Sequence, residues 1–216
     1  MESPDQKKSR VAKIIATLKK THPDAKLDLD FTNPLELLID LILAAQFRDA
    51  ILNTITPALF KKYKTASDWA NADPKELQEA LSRVTFFGNK VISIQKTAKI
   101  LVEQYGGKVP EGMDELLELP GVGRKTANIL RGNAFGIPGI GVDRHVGRVS
   151  ERLGLTKNTD PDKIEADLTP LVADKDKVKF CHLFQYHGRR ICVAKTPKCA
   201  ECSISALCFF PDKTTS

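Results

Sequence analysis

Leu119-Pro120-Gly121-Val122-Gly123-Arg124-Lys125-Thr126-Ala127-Asn128 sits between two stretches of helical character, one over Met113–Glu118 and another starting near Arg124. Its two glycines permit a turn too tight for residues that carry a Cβ atom. Such a turn leaves backbone N–H groups at the start of the second helix facing outward, where they and the helix dipole attract a phosphate oxygen. Pro-Gly-x-Gly between helices also serves as a plain connector. Here Arg124 and Lys125 follow at once and add positive charge.

The flanking segments carry the same helical signature. Val11, Ile14, Ile15 and Leu18 fall on one apolar stripe, while Leu35, Leu37, Leu38, Leu41, Ile42 and Leu43 form a nearly all-apolar segment that reads as a central, buried helix. Asn33-Pro34 marks its start, a capping residue followed by the imino acid that the first helical turn tolerates. Asp73-Pro74 opens a helix to about Arg83, Asn89 one to about Tyr105, and Asp160-Pro161 one to about Ala173. No strand alternation or strand-hairpin signal is present. The pattern predicts an all-α fold of about ten short helices. Its character changes only after Arg190, where periodicity gives way to cysteines, lysines and prolines.

A chain of 216 residues with 42% hydrophobic content can bury a core without a partner. A formal charge of +6 and a pI near 9.0 favour a polyanionic partner, nucleic acid or an anionic membrane, since each phosphate neutralised releases a condensed counterion. No run of about 18 apolar residues is present, and the N-terminus lacks a leader-like apolar stretch, so a soluble, cytosolic or nucleoid-associated protein is expected. Aromatic content of 6% with Trp69 as the one tryptophan disfavours a stacking platform for single strands and favours duplex binding through backbone and loops.

Of five cysteines, Cys192, Cys199, Cys202 and Cys208 form C-x6-C-x2-C-x5-C, a poor disulfide framework without a secretion signal and a good metal site. Zinc sites usually pair two short arms across a long spacer. One close pair flanked by wider gaps wraps more readily around a cubane, so a [4Fe–4S] cluster is expected, with zinc as the alternative. Cys181 falls outside the set and reads as a buried core residue. Lys195 and Lys198 lie within the loop, and Arg189 and Arg190 precede it. They form either a small basic surface for phosphate or a solvated charged loop.

A lysine one turn into a helix behind a phosphate-binding turn is held close to a sugar-phosphate backbone. There a neutral amine can attack the anomeric carbon of a deoxyribose and form a Schiff base. Adjacent Arg124 and partial burial of Lys125 would favour the neutral form; otherwise a lone helical lysine is an exposed solubilising charge. Asp143 begins Val142-Asp143-Arg144-His145-Val146-Gly147-Arg148-Val149. It either caps a helix or offers the carboxylate that stabilises a cationic sugar as its base leaves, and one residue can do both. His145 reads as a structural or backbone-contacting residue.

Together these residues resemble the endonuclease III family of DNA glycosylases over nearly the whole chain. The matching pieces are the segment Leu119 to Asn128, Val142-Asp143 with His145 and Arg148-Val149, the four-cysteine loop, Ala45-Gln46 with Asp49, and His187-Gly188-Arg189. The resemblance implies a helix-hairpin-helix motif at about 113–135 within a six-helix barrel over 27–137. It also implies an iron–sulfur domain made of 1–26 and 138–216 with its cluster loop at 192–208, and DNA in the cleft between the two. The activity implied is that of a bifunctional DNA glycosylase and AP lyase of base excision repair, a monomer acting on double-stranded DNA that contains a damaged base or abasic site. In that family the lysine matching Lys125 attacks the sugar, β-elimination nicks the strand 3′ to the site, and the residue matching Asp143 is the essential acid. DNA contacts are expected from Leu119, Gly121, Gly123, Arg124, His145, Lys195 and Lys198. Gln46 matches the position that fills the gap left by the extruded nucleotide, and Phe86 falls where a second loop inserts an apolar wedge. A single Phe in a helical protein is otherwise a core residue.

Three departures flank the expected base pocket or DNA cleft. Phe47-Arg48 stands where the family usually has small or hydroxylic residues, Thr85 replaces a usual glycine before the wedge, and Arg144 replaces the threonine common after the catalytic acid. An oxidised pyrimidine is the expected substrate, with another lesion, a mismatched base or a bare abasic site as alternatives. The related mismatch adenine glycosylases lack a lysine at the position of Lys125. A non-enzymatic DNA-binding iron–sulfur protein with a vestigial Lys-Asp pair is the reading from a different class.

Overall fold

The structure, a computed structural model, describes residues 2–214. In chain order its helices are α1 (Pro4–Thr21), α2 (Pro34–Ala44), α3 (Asp49–Leu52), α4 (Thr56–Lys62), α5 (Ala66–Ala70), α6 (Pro74–Ala80), α7 (Phe87–Tyr105), α8 (Met113–Leu117), α9 (Arg124–Ala134), α10 (Arg144–Arg152), α11 (Pro161–Leu168) and α12 (Lys177–Arg190). Short 3-10 turns lie at Asp174–Asp176, Cys199–Glu201 and Ser205–Leu207. No strand occurs among the described residues, and no helix there is long and apolar enough to cross a membrane. The helices fall into two compact units. One is Asp28–Ile137; the other joins the described residues up to Leu27 with those from Pro138 on.

Helix starts follow capping chemistry. Asn33 Oδ1 accepts from Glu36 N at 3.0 Å, Asp73 Oδ1 from Lys75 N at 2.8 Å and Asp160 Oδ1 from Lys163 N at 3.0 Å, with proline next in each case. Three boundaries differ from the sequence expectation. α11 stops at Leu168 rather than near Ala173, because Pro170 has no N–H for the helical ladder. α6 stops at Ala80 rather than Arg83, where the chain turns to bury Leu81 and Val84. α7 starts at Phe87 rather than Asn89, because its cap, Phe86, takes a left-handed backbone conformation (φ 57°, ψ 32°) that propensity does not assign to phenylalanine.

Within Asp28–Ile137, α2 is the central element: every residue from Leu37 to Leu43 is buried. α7 and α9 pack on it, α5 and α6 cover α7, and α8 closes on α9. Trp69 is core, 1% exposed and against the Tyr63 ring. In the other unit, Val11, Ile14, Ile15 and Leu18 of α1 share one core with Val146 and Val149 of α10 and Phe180, Leu183 and Phe184 of α12. Buried Arg10 ties α1 to the C-terminal segment there. Its Nη1 donates to the carbonyls of Leu153 (2.8 Å) and Leu207 (3.0 Å), and its guanidinium also binds the Glu2 carboxylate and lies over the Phe209 ring.

Asp40 interrupts the apolar pattern of α2. It is 0% exposed, and neither carboxylate oxygen has a hydrogen-bond partner. The nearby Thr56 hydroxyl, which donates to Leu52 O at 3.3 Å, offsets only part of the burial. Burial pushes the Asp40 pKa up to about 8, with Glu36, Asp30 and Asp49 adding repulsion. An ordinary aspartate releases its proton near 3.8, so between that pH and about 8 the folded state holds a proton that the unfolded state has lost. Stability therefore falls as pH rises through this window. Asp40→Ala is expected to raise stability by about 3 kcal/mol at pH 8, the gain shrinking toward pH 4, as read from urea unfolding across the range.

Candidate functional site

The turn between α8 and α9 is pinned from inside. Leu119 N donates to Leu116 O at 3.2 Å, Val122 N to Leu119 O at 3.0 Å, and the Thr97 hydroxyl of α7 to Pro120 O at 2.9 Å. The side chains of Leu119 and Val122 point into the core, 2% and 7% exposed. Leu119, expected among the contact residues, thus holds the turn with both its side chain and its main chain. Only one of the two glycines is needed for the turn itself. Gly121 has φ +86°, and a Cβ there would lie 3.2 Å from Ser93 Cβ and 3.3 Å from Ile42 Cγ2. Gly123 is extended (φ −102°, ψ 175°), and a Cβ on it would meet nothing within 4 Å. Its missing side chain leaves the start of α9 open from outside.

No side chain caps α9, so its first amides form the kind of anion site that a helix N-terminus provides. Gly121, Gly123, Arg124 and Lys125 are all exposed. Lys125 is not partly buried as expected, because the core-facing side of α9 carries Ala127 and Leu130 and Lys125 lies on the opposite side.

Two other loops of the same unit carry backbone strain. Gln46 and Phe86, both with φ 57°, are the positive-φ non-glycine residues of the described chain. Phe86 is 62% exposed and so does not belong to the core; Gln46 is exposed as well. Arg48 and Thr85 beside them are exposed, and Phe47 is half-buried. Between these loops Lys90, which nothing in the sequence pattern marks, is buried with its amine on the carbonyls of Leu43 and Ala45.

In the other unit, Asp143 caps α10: its Oδ1 accepts from His145 N at 2.8 Å and Val146 N at 2.7 Å. Its Oδ2 accepts from Gln185 Nε2 of α12 at 3.2 Å. The carboxylate is therefore held at both oxygens. His145 Nδ1 lies 3.1 Å from Arg148 Nη2, and its Nε2 accepts from exposed Arg144 at 3.3 Å. Burial, aided by Arg148, Arg144 and Arg189 and opposed by Asp143, holds the imidazole below its ordinary pKa.

The C-terminal end of α10 meets the cysteine loop. Arg148 donates to Cys192 O (3.0 Å) and Gly188 O (2.7 Å), and Arg152 to Cys192 Sγ (3.3 Å), Val193 O (2.8 Å) and Ala194 O (2.8 Å). Cys192, Cys199, Cys202 and Cys208 line one pocket with Val149, His187 and Ile204. Phe210 N reaches Cys208 Sγ at 3.5 Å, and His187 Nε2 lies 3.6 Å from Cys202 Sγ. The other ring nitrogen of His187 is 3.2 Å from His22 Nε2. Burial, with His22 adding to it, brings the His187 pKa down to about 4. Cys181 packs against the core, its thiol pushed up to about 12 by burial, and lies outside the cavity lining. Lys195 and Lys198 are exposed on the loop. Gln185 and the His22–His187 pair come together only through tertiary packing. The i,i+4 spacing of Arg148 and Arg152, behind a capping aspartate, is the one signal in the chain that pointed to this clamp.

Gly121→Ala is expected to cost about 2 kcal/mol through its positive φ and the approach of Ser93 and Ile42, whereas Gly123→Ala is expected to cost less than about 0.5 kcal/mol. Urea unfolding of the two variants checks this contrast.

A family model described as HhH-GPD superfamily base excision DNA repair protein matches residues 39–173. The endonuclease III of Synechocystis sp. is 46% identical over 203 residues, covering 94% of this chain and 93% of that protein. The Bacillus subtilis endonuclease III is 43% identical, covering 86% and 85%. Among solved structures, a non-covalent endonuclease III–DNA complex superposes with a TM-score of 0.88 at 38% identity, covering 94% of this chain and 95% of that one. Similarity at this level over nearly the full length of each relative establishes that the chain belongs to the HhH-GPD superfamily of base excision DNA repair proteins and, within it, to the endonuclease III family.

Proposed function

We propose that this chain is a bifunctional DNA glycosylase and AP lyase that removes oxidised pyrimidines from duplex DNA, with Lys125 as nucleophile and Asp143 as assisting carboxylate. The observation that carries the reading is an exposed Lys125 in the first turn of a helix that no side chain caps, behind a turn wedged against α2 and α7 at Gly121. The main-chain amides at the start of α9 hold a DNA phosphate, and Arg124 adds charge. The neutral amine of Lys125 attacks the anomeric carbon. The base leaves with the electron pair of the glycosidic bond and takes up the proton that the nitrogen sheds; the C1′–O4′ bond of the sugar then breaks, O4′ keeping the electron pair and taking up a proton, as the nitrogen lone pair forms the protonated Schiff base. Loss of a C2′ proton then expels the 3′ phosphate, and water frees the lysine. Asp143 stabilises the cationic sugar; with Oδ1 committed to two amides, Oδ2 is the oxygen with capacity to spare.

The cysteine loop fits a [4Fe–4S] cluster held by Cys192, Cys199, Cys202 and Cys208. The four thiols line one pocket, and their C-x6-C-x2-C-x5-C spacing, one close pair flanked by wider gaps, suits a cubane. When bound, such a cluster cross-links the loop. Lys195 and Lys198 then supply further phosphate contacts, and His145 supports the start of α10.

Borohydride is expected to trap the protein on duplexes carrying an abasic site, thymine glycol or dihydrouracil, and to trap no adduct with Lys125→Gln. An adduct that survives Lys125→Gln, or none from the wild type on any duplex it binds, would overturn the assignment. Asp143→Asn keeps a capping oxygen, so its stability is expected within about 1 kcal/mol of wild type. Its lesion affinity is expected unchanged and its base release slower by about 10²–10³-fold. Equal losses in affinity and base release would remove Asp143 from that role.

A further inference from the structure

We propose that Lys90 is the positioning residue that holds Gln46 poised to enter the DNA helix; this rests on the reading of Gln46 as the gap filler.

Lys90 is 7% exposed, and burial alone lowers the pKa of its amine, with no carboxylate offsetting it. Its Nζ donates to two carbonyls, Leu43 O at 2.7 Å and Ala45 O at 2.6 Å, and lies 6.0 Å from the centre of the Phe47 ring. A lysine is seldom buried unless paired, and here main-chain oxygens stand in for a counter-ion.

What the amine holds matters more than that it is held. Phe47 N donates to Ala44 O at 3.0 Å, closing a four-residue turn with Ala45 (φ −56°, ψ 113°) and Gln46 (φ 57°) at its centre. These are the angles of a type II turn, which favours glycine at the position of Gln46. Types I and II differ by a flip of the peptide between the two central residues, and the oxygen of that peptide is Ala45 O. The hydrogen bond from Lys90 therefore selects the strained form and fixes where the Gln46 side chain projects.

Its backbone N–H also donates to Phe86 O at 3.2 Å, the first ladder bond of α7, but any residue except proline would make that bond, so the specific action of the Lys90 side chain is on the turn at Gln46.

The experiment measures single-turnover base release and initial binding on a lesion duplex for Gln46→Ala, Phe86→Ala, Lys90→Met and the double variant Lys90→Met/Gln46→Ala. A 2-aminopurine placed opposite the lesion reports filling of the gap, and thermal unfolding reports folding. Lys90→Met is expected to slow base release about tenfold with initial affinity retained and to abolish the 2-aminopurine change. The double variant is expected to lose little beyond the worse single variant. Lys90→Arg, which keeps the donors and guards against a misfolded methionine variant, is expected to recover most of the rate. Multiplicative losses in the double variant, a wild-type rate for Lys90→Met, or no recovery by folded Lys90→Arg would overturn the proposal. A wild-type rate for Gln46→Ala would instead remove the reading on which it rests, and the proposal with it, whatever the rate of Phe86→Ala.

Discussion

The burial of α2 on every face orders the unit Asp28–Ile137. A helix apolar all round gains its stability by being covered, here by α7 and α9, and leaves only its ends for polar contacts. Ile42, near its C-terminal end, is one of the residues against which Gly121 is pressed, so the turn before α9 takes its position from this helix. The chain leaves α2 through the turn at Gln46, and Lys90 reaches back from α7 to the carbonyls at that exit. The hairpin and both strained loops are therefore referenced to one buried rod. Asp40 is the exception within it, a buried carboxyl that lowers stability at neutral and alkaline pH.

In the other unit α10 plays the corresponding part. Its N-terminus is capped by Asp143, and two arginines near its other end grip the chain entering the cysteine cavity. Gln185, from α12, fixes the remaining carboxylate oxygen. Asp143 thus starts a helix while both of its carboxylate oxygens are held.

What was legible in the sequence was local. Asn33-Pro34, the turn at Gly121, the cap at Asp143 and the crowding of four cysteines each depend on residues a few positions apart, where backbone chemistry decides the outcome. Contacts distant in sequence were not legible. Lys125 was expected to be partly buried, but its exposure follows from which side of α9 packs inward. Phe86 as the cap of α7 escaped notice because a left-handed phenylalanine is held by its surroundings rather than by preference. Lys90, Gln185 and the pair His22–His187 carry no pattern at all. Each gains its meaning from a partner on another helix.

The start of α9 has a consequence for how its importance would be discovered. Its donors are main-chain amides, and every residue except proline supplies one. Truncating the exposed side chains one at a time would leave these donors in place, and a map of contacts drawn from such a scan would show a blank at any site built from them. Sensitivity would appear instead on adding bulk at Gly123, where the chain itself has room for a side chain and tolerates it in folding, so a loss there would report on what approaches from outside.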